Sequence, residues 1–407
     1  MSTIEVNKIT PVSGGTAIQV GESGDTITVP SGATITNSGT ANNFTNYRPN
    51  AKPFFINGSM AVAQRGTSFS QPDTNNDAYP VDRFSFQTGS IGVYTSTQEA
   101  LTSGDAFNAG FKMAARIDCT TAQASPAAGD YFWFQYKAEA QDCLAWKKGT
   151  TSATVMTLSF WVKSNKTGTA QVNLRDDDND RMVCALYTIS SGDTWEKKVV
   201  TFPMETSYPM NNDNGTGFRF EWPLGGGSTY SSGTAPTAWE ARVDADVAAN
   251  NLAINDSTSN DWAITGIQAE VGTYTSATIP TFQFESYADN LLRCQRYFQN
   301  IADGTDKAIG MGQYWEAQEF IGHRVLSTVM RTTPTLEYVT GTNYYAVLRD
   351  GGSDQLDALT ISSSPSSSSM ISWYVGSSQG LASNTKNRPG FFRTQNSSSK
   401  VGFTAEL

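Results

Sequence analysis

Short runs in which apolar and polar residues alternate extend over most of the chain. The clearest is Val155–Val162, which is followed by the polar turn Ser164–Gly168 and by a second alternating run, Ala170–Leu174. A period of two is typical of a strand that buries one face, so two such runs around a polar turn predict two successive strands. Similar runs are Tyr131–Tyr136, Met182–Ile189, Glu196–Phe202, Gly217–Trp222 and Ala263–Val271. With almost no helical periodicity between them, they predict a two-sheet sandwich of the jelly-roll type.

The first 50 residues alternate in the same way, but in much shorter runs separated by glycine, serine and proline. Each run is too short to bury its apolar face within one chain. We therefore expect either a β shaft in which several copies wind together, or an arm that docks elsewhere on an assembly. Both alternatives imply a particle of several subunits. In the shaft, the contacts between copies would be Ile18, Val20, Ile27, Val29 and Ile35.

One helix is predicted, over Ser286–Gln299. Ser286 can cap its first turn, and four apolar residues recur at spacings of four, three and four. This narrow stripe suits a helix packed on the sandwich of its own chain. It also suits a short three-helix neck around a symmetry axis. The residues of the stripe are Tyr287, Leu291, Cys294 and Phe298.

Short β runs return after the helix, with serine-rich loops such as Ser362–Ser369 between them. They predict a second, smaller β-sandwich. The chain is thus expected to be all-β, with four parts in order. These are a shaft or attachment segment (1–50), a jelly-roll sandwich (51–285), a helical neck (286–299) and a C-terminal tip domain (300–407).

Composition and charge narrow the classes of function. Charged residues make up only 16% of the chain and the net charge is −10, so binding to nucleic acid phosphates is not expected. The N-terminal sequence MSTIEVNKIT has neither the basic nor the apolar region of a signal peptide, and no apolar run is long enough to span a membrane. We therefore expect assembly in a cytoplasm, without export and without membrane insertion.

Candidate catalytic groups are scarce. His323 is the only histidine, no GxSxG motif occurs, and Gly225–Gly227 is not followed by the lysine and helix of a phosphate-binding loop. The four cysteines have no zinc-site spacing, so we expect reduced, buried thiols, with a disulfide between Cys119 and Cys143 as the alternative. A carboxylate pair that cleaves glycans needs no histidine. We do not expect one here, because no long array of repeats is visible. The sequence predicts no enzyme and no cofactor.

The densest acidic run is Asp176–Asp180, which lies between two strand-like runs. Its alternate aspartates resemble the first half of a calcium loop, but the glycine at the sixth position and the glutamate at the twelfth are absent. We expect a solvated hairpin loop and no metal site, with weak calcium binding as the alternative.

Aromatic residues in or near loops are candidates for contact with a receptor, because exposed rings stack on the C–H faces of sugars. Burial in a β core is the other interpretation for each of them. These residues are Trp222, Tyr230, Trp239, Tyr344, Tyr345, Trp373 and Tyr374.

Five segments resemble a family of tail-fibre and related virion proteins of marine bacteriophages. The N-terminal segment Val6–Ala41 contains a GDTITVPSGATI-type repeat. NGSMAVAQRGTS (Asn57–Ser68), TLSFWVKSNKTGT (Thr157–Thr169) and ITGIQAEVGTYTS (Ile264–Ser276) are similar to a β-sandwich domain of that family. FESYADNLLRCQRYFQ (Phe284–Gln299) resembles the CQRYF signature that follows this domain, although an Asn stands where a Glu is usual and an Arg common before the Tyr is missing.

The resemblance implies a homotrimeric virion protein, attached to other tail or virion proteins by its N-terminus. The expected function is adsorption, in which the C-terminal domains bind a cell-surface glycan or an outer-membrane receptor. A purely architectural head fibre, decoration or connector protein is the alternative. A polysaccharide depolymerase is a third class.

Overall fold

Antiparallel sheets dominate the part of the chain that the structure describes. The structure is a computed structural model, and it describes residues 52–71, 77–362, 366–379, 381 and 386–407. Within these ranges, the strands form four sheets. The all-β class is therefore confirmed. The predicted shaft contacts, Ile18, Val20, Ile27, Val29 and Ile35, lie outside the described residues.

The first two sheets are formed by strands β1 to β13. Six strands pair in the order β1-β4-β5-β13-β7-β10, and seven pair in the order β12-β9-β8-β11-β6-β3-β2. In chain order the strands are β1 (Ser68–Gln71), β2 (Asp77–Val81), β3 (Phe84–Gly89), β4 (Val93–Ala100), β5 (Met113–Thr121), β6 (Tyr131–Glu139), β7 (Met156–Ser164), β8 (Gly168–Asp176), β9 (Arg181–Ile189), β10 (Glu196–Phe202), β11 (Thr216–Gly226), β12 (Glu240–Ala241) and β13 (Asp261–Val271).

The core of the sandwich lies between these two sheets. In β7, every second residue points inward, and Leu158, Phe160 and Val162 are fully buried. From the facing sheet, Trp222 of β11 meets Phe160 edge-on at 5.6 Å between ring centroids. Alternate burial along facing strands is what a period of two demands. The predicted β-sandwich is confirmed.

Helices are short in the described residues. They are α1 (Asp105–Asn108), α2 (Ser228–Ser231) and α3 (Tyr287–Cys294), together with single 3-10 turns at Ala140–Asp142, Leu144–Trp146, Asp244–Asp246, Ile254–Asp256 and Ser377–Gln379. The Ser286 hydroxyl caps α3 by accepting a hydrogen bond from the Asp289 amide. The prediction that this helix continues to Gln299 was wrong. Phe298 instead starts a strand that pairs with Thr404, far away in sequence.

The C-terminal residues form two further sheets. A three-stranded sheet has the order β14-β23-β17, and a seven-stranded sheet has the order β19-β18-β22-β15-β16-β21-β20. Trp373 lies between the two sheets, and its ring centroid is 5.5 Å from that of Phe392 and 5.3 Å from that of Phe403. The strands are β14 (Phe298–Asp303), β15 (Ala308–Glu316), β16 (Glu319–Val325), β17 (Thr335–Tyr338), β18 (Tyr345–Arg349), β19 (Gly352–Leu356), β20 (Ile361–Ser362), β21 (Met370–Gly376), β22 (Pro389–Thr394) and β23 (Lys400–Thr404). The smaller C-terminal sandwich is confirmed.

Ion pairs and ring contacts join the sandwich to the C-terminal sheets. Arg65, from the NGSMAVAQRGTS segment, lies 3.7 Å from the centre of the Phe298 ring and pairs with Glu406 at 3.4 Å. Arg83 also pairs with Glu406 and covers the Tyr297 ring at 3.4 Å. We call Arg65, Arg83, Tyr297, Phe298 and Glu406 the junction cluster. Two of the segments that carry the family resemblance therefore meet in a structural contact.

Candidate functional site

The outer face of the seven-stranded sheet of the sandwich carries polar groups in ordered rows. Because side chains alternate along a strand, the neighbours of the core residues of β3, β6, β8 and β11 point away from the core. Pairing places Gln135 opposite both Ser85 and Glu221. In the adjacent row, Arg219 of β11 lies opposite Lys137 of β6 and Arg175 of β8 in the strand register. We call this surface the polar face, and its residues are Ser85, Gln87, Trp133, Gln135, Lys137, Arg175, Arg219 and Glu221.

Glu221 is the central carboxylate of the polar face and is fully buried. Its Oε1 accepts a hydrogen bond from Nη1 of Arg175 at 2.9 Å, and Nη1 of Arg219 lies 3.8 Å from the same oxygen. Burial by itself raises the pKa of this carboxyl, but the charges of Arg175 and Arg219 outweigh it and hold the pKa below its ordinary value. Oε2 has no hydrogen-bond partner among the described residues. Glu221 thus offers one ionised oxygen as an acceptor.

Gln135 supplies a second acceptor beside it. Only 2% of this residue is exposed. Its Nε2 donates to the Ser85 hydroxyl at 3.2 Å, while its Oε1 has no partner in the described part of the chain. A buried acceptor without a donor costs about 1–3 kcal/mol. Both acceptors are buried, so the O–H donors of a ligand reach them only if the groups that cover them move.

Aromatic rings border these acceptors. Tyr131 and Trp133 stack at 4.2 Å between centroids with 15° between their planes, and Tyr230 of α2 meets both rings edge-on. The Trp133 indole N–H donates to Oε1 of Gln87 at 2.8 Å. Trp133 is nearly buried, whereas Tyr131 and Tyr230 are half-buried. The rings therefore form a rigid wall at one end of the polar face.

Of the residues at this candidate site, the sequence analysis named Tyr230 and missed Trp133, Gln135 and Glu221; Tyr230 as a receptor contact stays a prediction. The alternation within Tyr131–Tyr136 and Gly217–Trp222 contained a usable signal, because these three residues occupy the polar-facing positions between core aromatics. What the sequence did not show is that β6 and β11 are neighbours.

Three of the other six predicted receptor contacts are not on the surface. Trp222, Tyr345 and Trp373 are fully buried, so their assignment as receptor contacts was wrong. Each is on the inner side of its strand, where a large ring fills the core. Trp239 is half-buried, and its indole N–H donates to the Pro203 carbonyl. Tyr344 is half-buried too, and Tyr374 is 36% exposed.

The four apolar residues of the predicted neck helix lie in two different environments. Cys294 and Phe298 are buried within their own chain, and as contacts between three helices they are therefore excluded. Leu291 packs beside Cys294 and Tyr297, while Tyr287 is 60% exposed. The structure supports packing of this helix on its own sandwich.

The acidic run Asp176–Asp180 forms the turn between β8 and β9, as predicted. It is not simply solvated, because Asp176 is fully buried against Nζ of Lys148 at 2.5 Å. Among the residues that the structure describes, no group of three His, Cys, Asp or Glu side chains is arranged to hold a metal ion.

The remaining candidate groups are placed as follows. All four cysteines are buried and unpaired, so the predicted reduced thiols are confirmed. His323 is exposed on β16, and its Nδ1 lies 3.0 Å from the Ser372 hydroxyl. No helix within the described ranges is long and apolar enough to cross a membrane.

Comparison with known proteins gives only weak structural likenesses. No family model and no curated protein matches the chain. The enzymatically active domain of tailspike protein 4 of bacteriophage CBA120 is 12% identical, with a TM-score of 0.26 over 46% of this chain and 19% of that one. The family 11 carbohydrate-binding module of Clostridium thermocellum is 10% identical, with a TM-score of 0.25 over 51% of this chain and 97% of the module. The carbohydrate-binding module TmCBM61, in complex with beta-1,4-galactotriose, is 6% identical, with a TM-score of 0.25 over 54% and 99%. These TM-scores lie well below 0.5, and they transfer no function to the chain.

Proposed function

We propose that the chain is a non-enzymatic structural component of a phage virion. In this proposal it is a homotrimeric tail fibre that attaches through its N-terminal segment and binds a glycan of the host surface through the polar face. The pair of buried, unpartnered acceptors on Gln135 and Glu221 carries the glycan part of the proposal. The virion part is supported by the five segments that resemble phage fibre proteins and by the alternating runs of the first 50 residues.

A sugar matches the polar face in two respects. Neighbouring hydroxyls on a pyranose ring are donors that can reach two adjacent acceptors, one of them charged, and hydrogen bonds to charged groups contribute about 1.5–3 kcal/mol. The half-buried rings of Tyr131 and Tyr230 lie beyond Trp133 at one end of the polar face and can cover an apolar face of the glycan there. The polar face therefore combines hydroxyl recognition with a fixed apolar wall.

Hydrolysis of the glycan is not part of the proposal. A glycosidase needs one carboxylic acid that donates a proton, with a raised pKa. On the polar face, the charges of Arg175 and Arg219 lower the pKa of Glu221 and keep this carboxyl ionised. A glycan incubated with the protein is expected to gain no new reducing ends.

Replacing Gln135 by methionine is expected to weaken glycan binding by about 10- to 100-fold, because a ligand hydroxyl then loses its acceptor. The measurement is a glycan array with bacterial surface polysaccharides, followed by calorimetric titration of the glycan that binds. Gln313→Met, at an exposed position on a strand of the C-terminal sheet, is the matched control and should bind like the wild type. Equal affinity of the Gln135 variant and the wild type would contradict the assignment of the site.

An architectural role is the second candidate, and burial of Tyr345 and Trp373 favours it, because the C-terminal sheets then expose fewer rings than the sequence suggests. Light scattering and the array separate the two candidates. A trimer with a mass near three times 43.9 kDa that binds no glycan indicates a connector, decoration or head fibre. A trimer that binds a glycan through the polar face indicates an adsorption fibre.

A further inference from the structure

Among the described residues, the outer face of the C-terminal seven-stranded sheet carries several exposed apolar side chains. Strand pairing places Met311 opposite both Phe391 and His323, and Phe391 opposite Leu348. The neighbours of these residues along their strands point into the core, where Phe392 is fully buried. The exposed row therefore crosses the sheet from β18 to β16.

Further apolar groups extend this row along β16 and β21. Ile321 pairs with Tyr374, which is 36% exposed. Val325 at the end of β16 is 75% exposed, Met311 is 69% exposed and Phe391 is 38% exposed. We call Met311, Ile321, Val325, Leu348, Phe391 and Tyr374 the apolar stripe. His323 lies between Ile321 and Val325 on the same face. Exposed apolar groups gathered on one face mark an interaction site when their patch is large.

The apolar stripe also stands out by its lack of charge. The chain has a net charge of −10, yet the strand-pairing partners of the stripe residues outside the stripe are Gln313, His323, Ser353 and Met370, and none of these is a carboxylate. At the edge of the stripe, Glu319 is hydrogen-bonded to the Tyr374 hydroxyl. The cores of protein interfaces are likewise poor in charge and rich in aromatic residues and methionine.

We infer that the apolar stripe is the surface through which copies of this chain pack together in the trimer. The inference rests on the proposed homotrimer and names the contact that holds it. Two copies of an acidic protein repel each other over most of their surfaces. Copies that turn the same stripe towards a common three-fold axis bring equally uncharged surfaces together, so they meet here without that repulsion. A sugar is a poor occupant, because the stripe offers few fixed polar groups to its hydroxyls.

A carboxylate in the stripe is the direct test. In Met311→Asp and Val325→Asp the side chain replaced is largely exposed in a single copy, so each subunit is expected to fold with an unchanged melting temperature. Packing of copies would bury the new charge, and the dissociation constant of the trimer should rise at least about 100-fold. Light scattering over a dilution series should show about three times 43.9 kDa for the wild type and a single-chain mass for both variants.

Two control variants make the result specific. Leu186→Asp adds the same charge at a 46% exposed strand position of the large sandwich and should remain trimeric. Leu292→Asp, at a 51% exposed position of α3, tests the predicted neck and should also remain trimeric if the stripe is the main contact. Dissociation of Leu292→Asp alone would overturn the inference in favour of the neck.

The outcomes distinguish this inference from the proposed function. Stripe variants that stay trimeric overturn the inference and leave the proposed trimer intact. Stripe variants that stay trimeric but no longer bind bacterial envelope fragments assign the stripe to the host instead. A wild type that is monomeric at all concentrations removes both the trimer and this contact. Stripe variants that dissociate and keep the glycan affinity of a single chain support both proposals.

Discussion

Replacing Glu139 by glutamine is expected to lower the free energy of unfolding by about 3–5 kcal/mol, because it leaves Arg296 beside a buried group that no longer carries charge. The Glu139 side chain is fully buried. It accepts hydrogen bonds from Nε and Nη2 of Arg296 at 2.6 and 2.7 Å, and from the Tyr297 hydroxyl at 2.5 Å. Arg296 and Tyr297 belong to the CQRYF segment, so this contact fastens that segment to β6. Urea denaturation of the variant and the wild type measures the loss.

The contribution of Glu139 to the free energy of unfolding should also depend on pH. Burial raises the pKa of this carboxyl, but the hydrogen bonds from Arg296 and Tyr297 outweigh it and leave the pKa below its ordinary value. A carboxylate with a lowered pKa in the folded state stabilises the protein above its unfolded pKa of about 4.3. The stability is lost as the pH falls through the folded pKa. The difference between wild type and Glu139→Gln should therefore be constant near pH 7 and shrink below about pH 4.

A surface pair provides the control for Glu139. Glu316 pairs with Lys386, and both side chains are about half exposed. Exposed pairs contribute at most about 1 kcal/mol, so Glu316→Gln should change stability little at any pH. If Glu139→Gln costs no more than Glu316→Gln, the CQRYF segment is not held by this carboxylate.

Replacing Lys148 by methionine is expected to destabilise the sandwich by a similar amount, about 3–5 kcal/mol. Neither Lys148 nor Asp176 exposes any of its side chain. Nζ of Lys148 lies 2.5 Å from Asp176, 2.9 Å from Glu205 and 2.7 Å from the Tyr208 carbonyl. Without the ammonium group, Asp176 keeps a buried negative charge with no cation beside it. Thermal and urea unfolding measure the cost.

The adjacent lysine is a natural control, because Lys147 is exposed while Lys148 is not. Lys147→Met should change stability by less than about 0.5 kcal/mol. The double variant Lys148→Met with Asp176→Asn should recover part of the loss, since the unpaired charge is then absent. Equal stabilities of Lys147→Met and Lys148→Met would show that the buried pair does not hold the β8–β9 turn.

Local patterns were sufficient to predict the sandwich strands. Strands β7 and β8 are a clear case, because Val155–Val162 and Ala170–Leu174 alternate and a polar turn separates them, although the two strands belong to different sheets. The observed strands, Met156–Ser164 and Gly168–Asp176, differ from these runs mainly at their ends. Alternation depends on neighbouring residues alone, and so it is visible without knowledge of the rest of the fold.

Contacts between distant residues were not predictable in the same way. The end of α3 is decided by the pairing of Phe298 with Thr404, and the burial of Asp176 is decided by Lys148. Neither partner is near in sequence. For the aromatic candidates, alternation showed that one residue of a pair such as Trp373-Tyr374 faces outward, but not which one. The candidate site depended on the pairing of β6 with β11, and it was missed for the same reason.

The junction cluster has a mechanical consequence. To tilt the C-terminal sheets against the sandwich, Glu406 would have to leave Arg65 and Arg83 while both guanidinium groups slid off the Phe298 and Tyr297 rings. Because several contacts would have to break for such a tilt, we expect less motion between these two parts than between domains joined by a flexible linker. A force on the C-terminal sheets would then pass to the sandwich through the junction cluster.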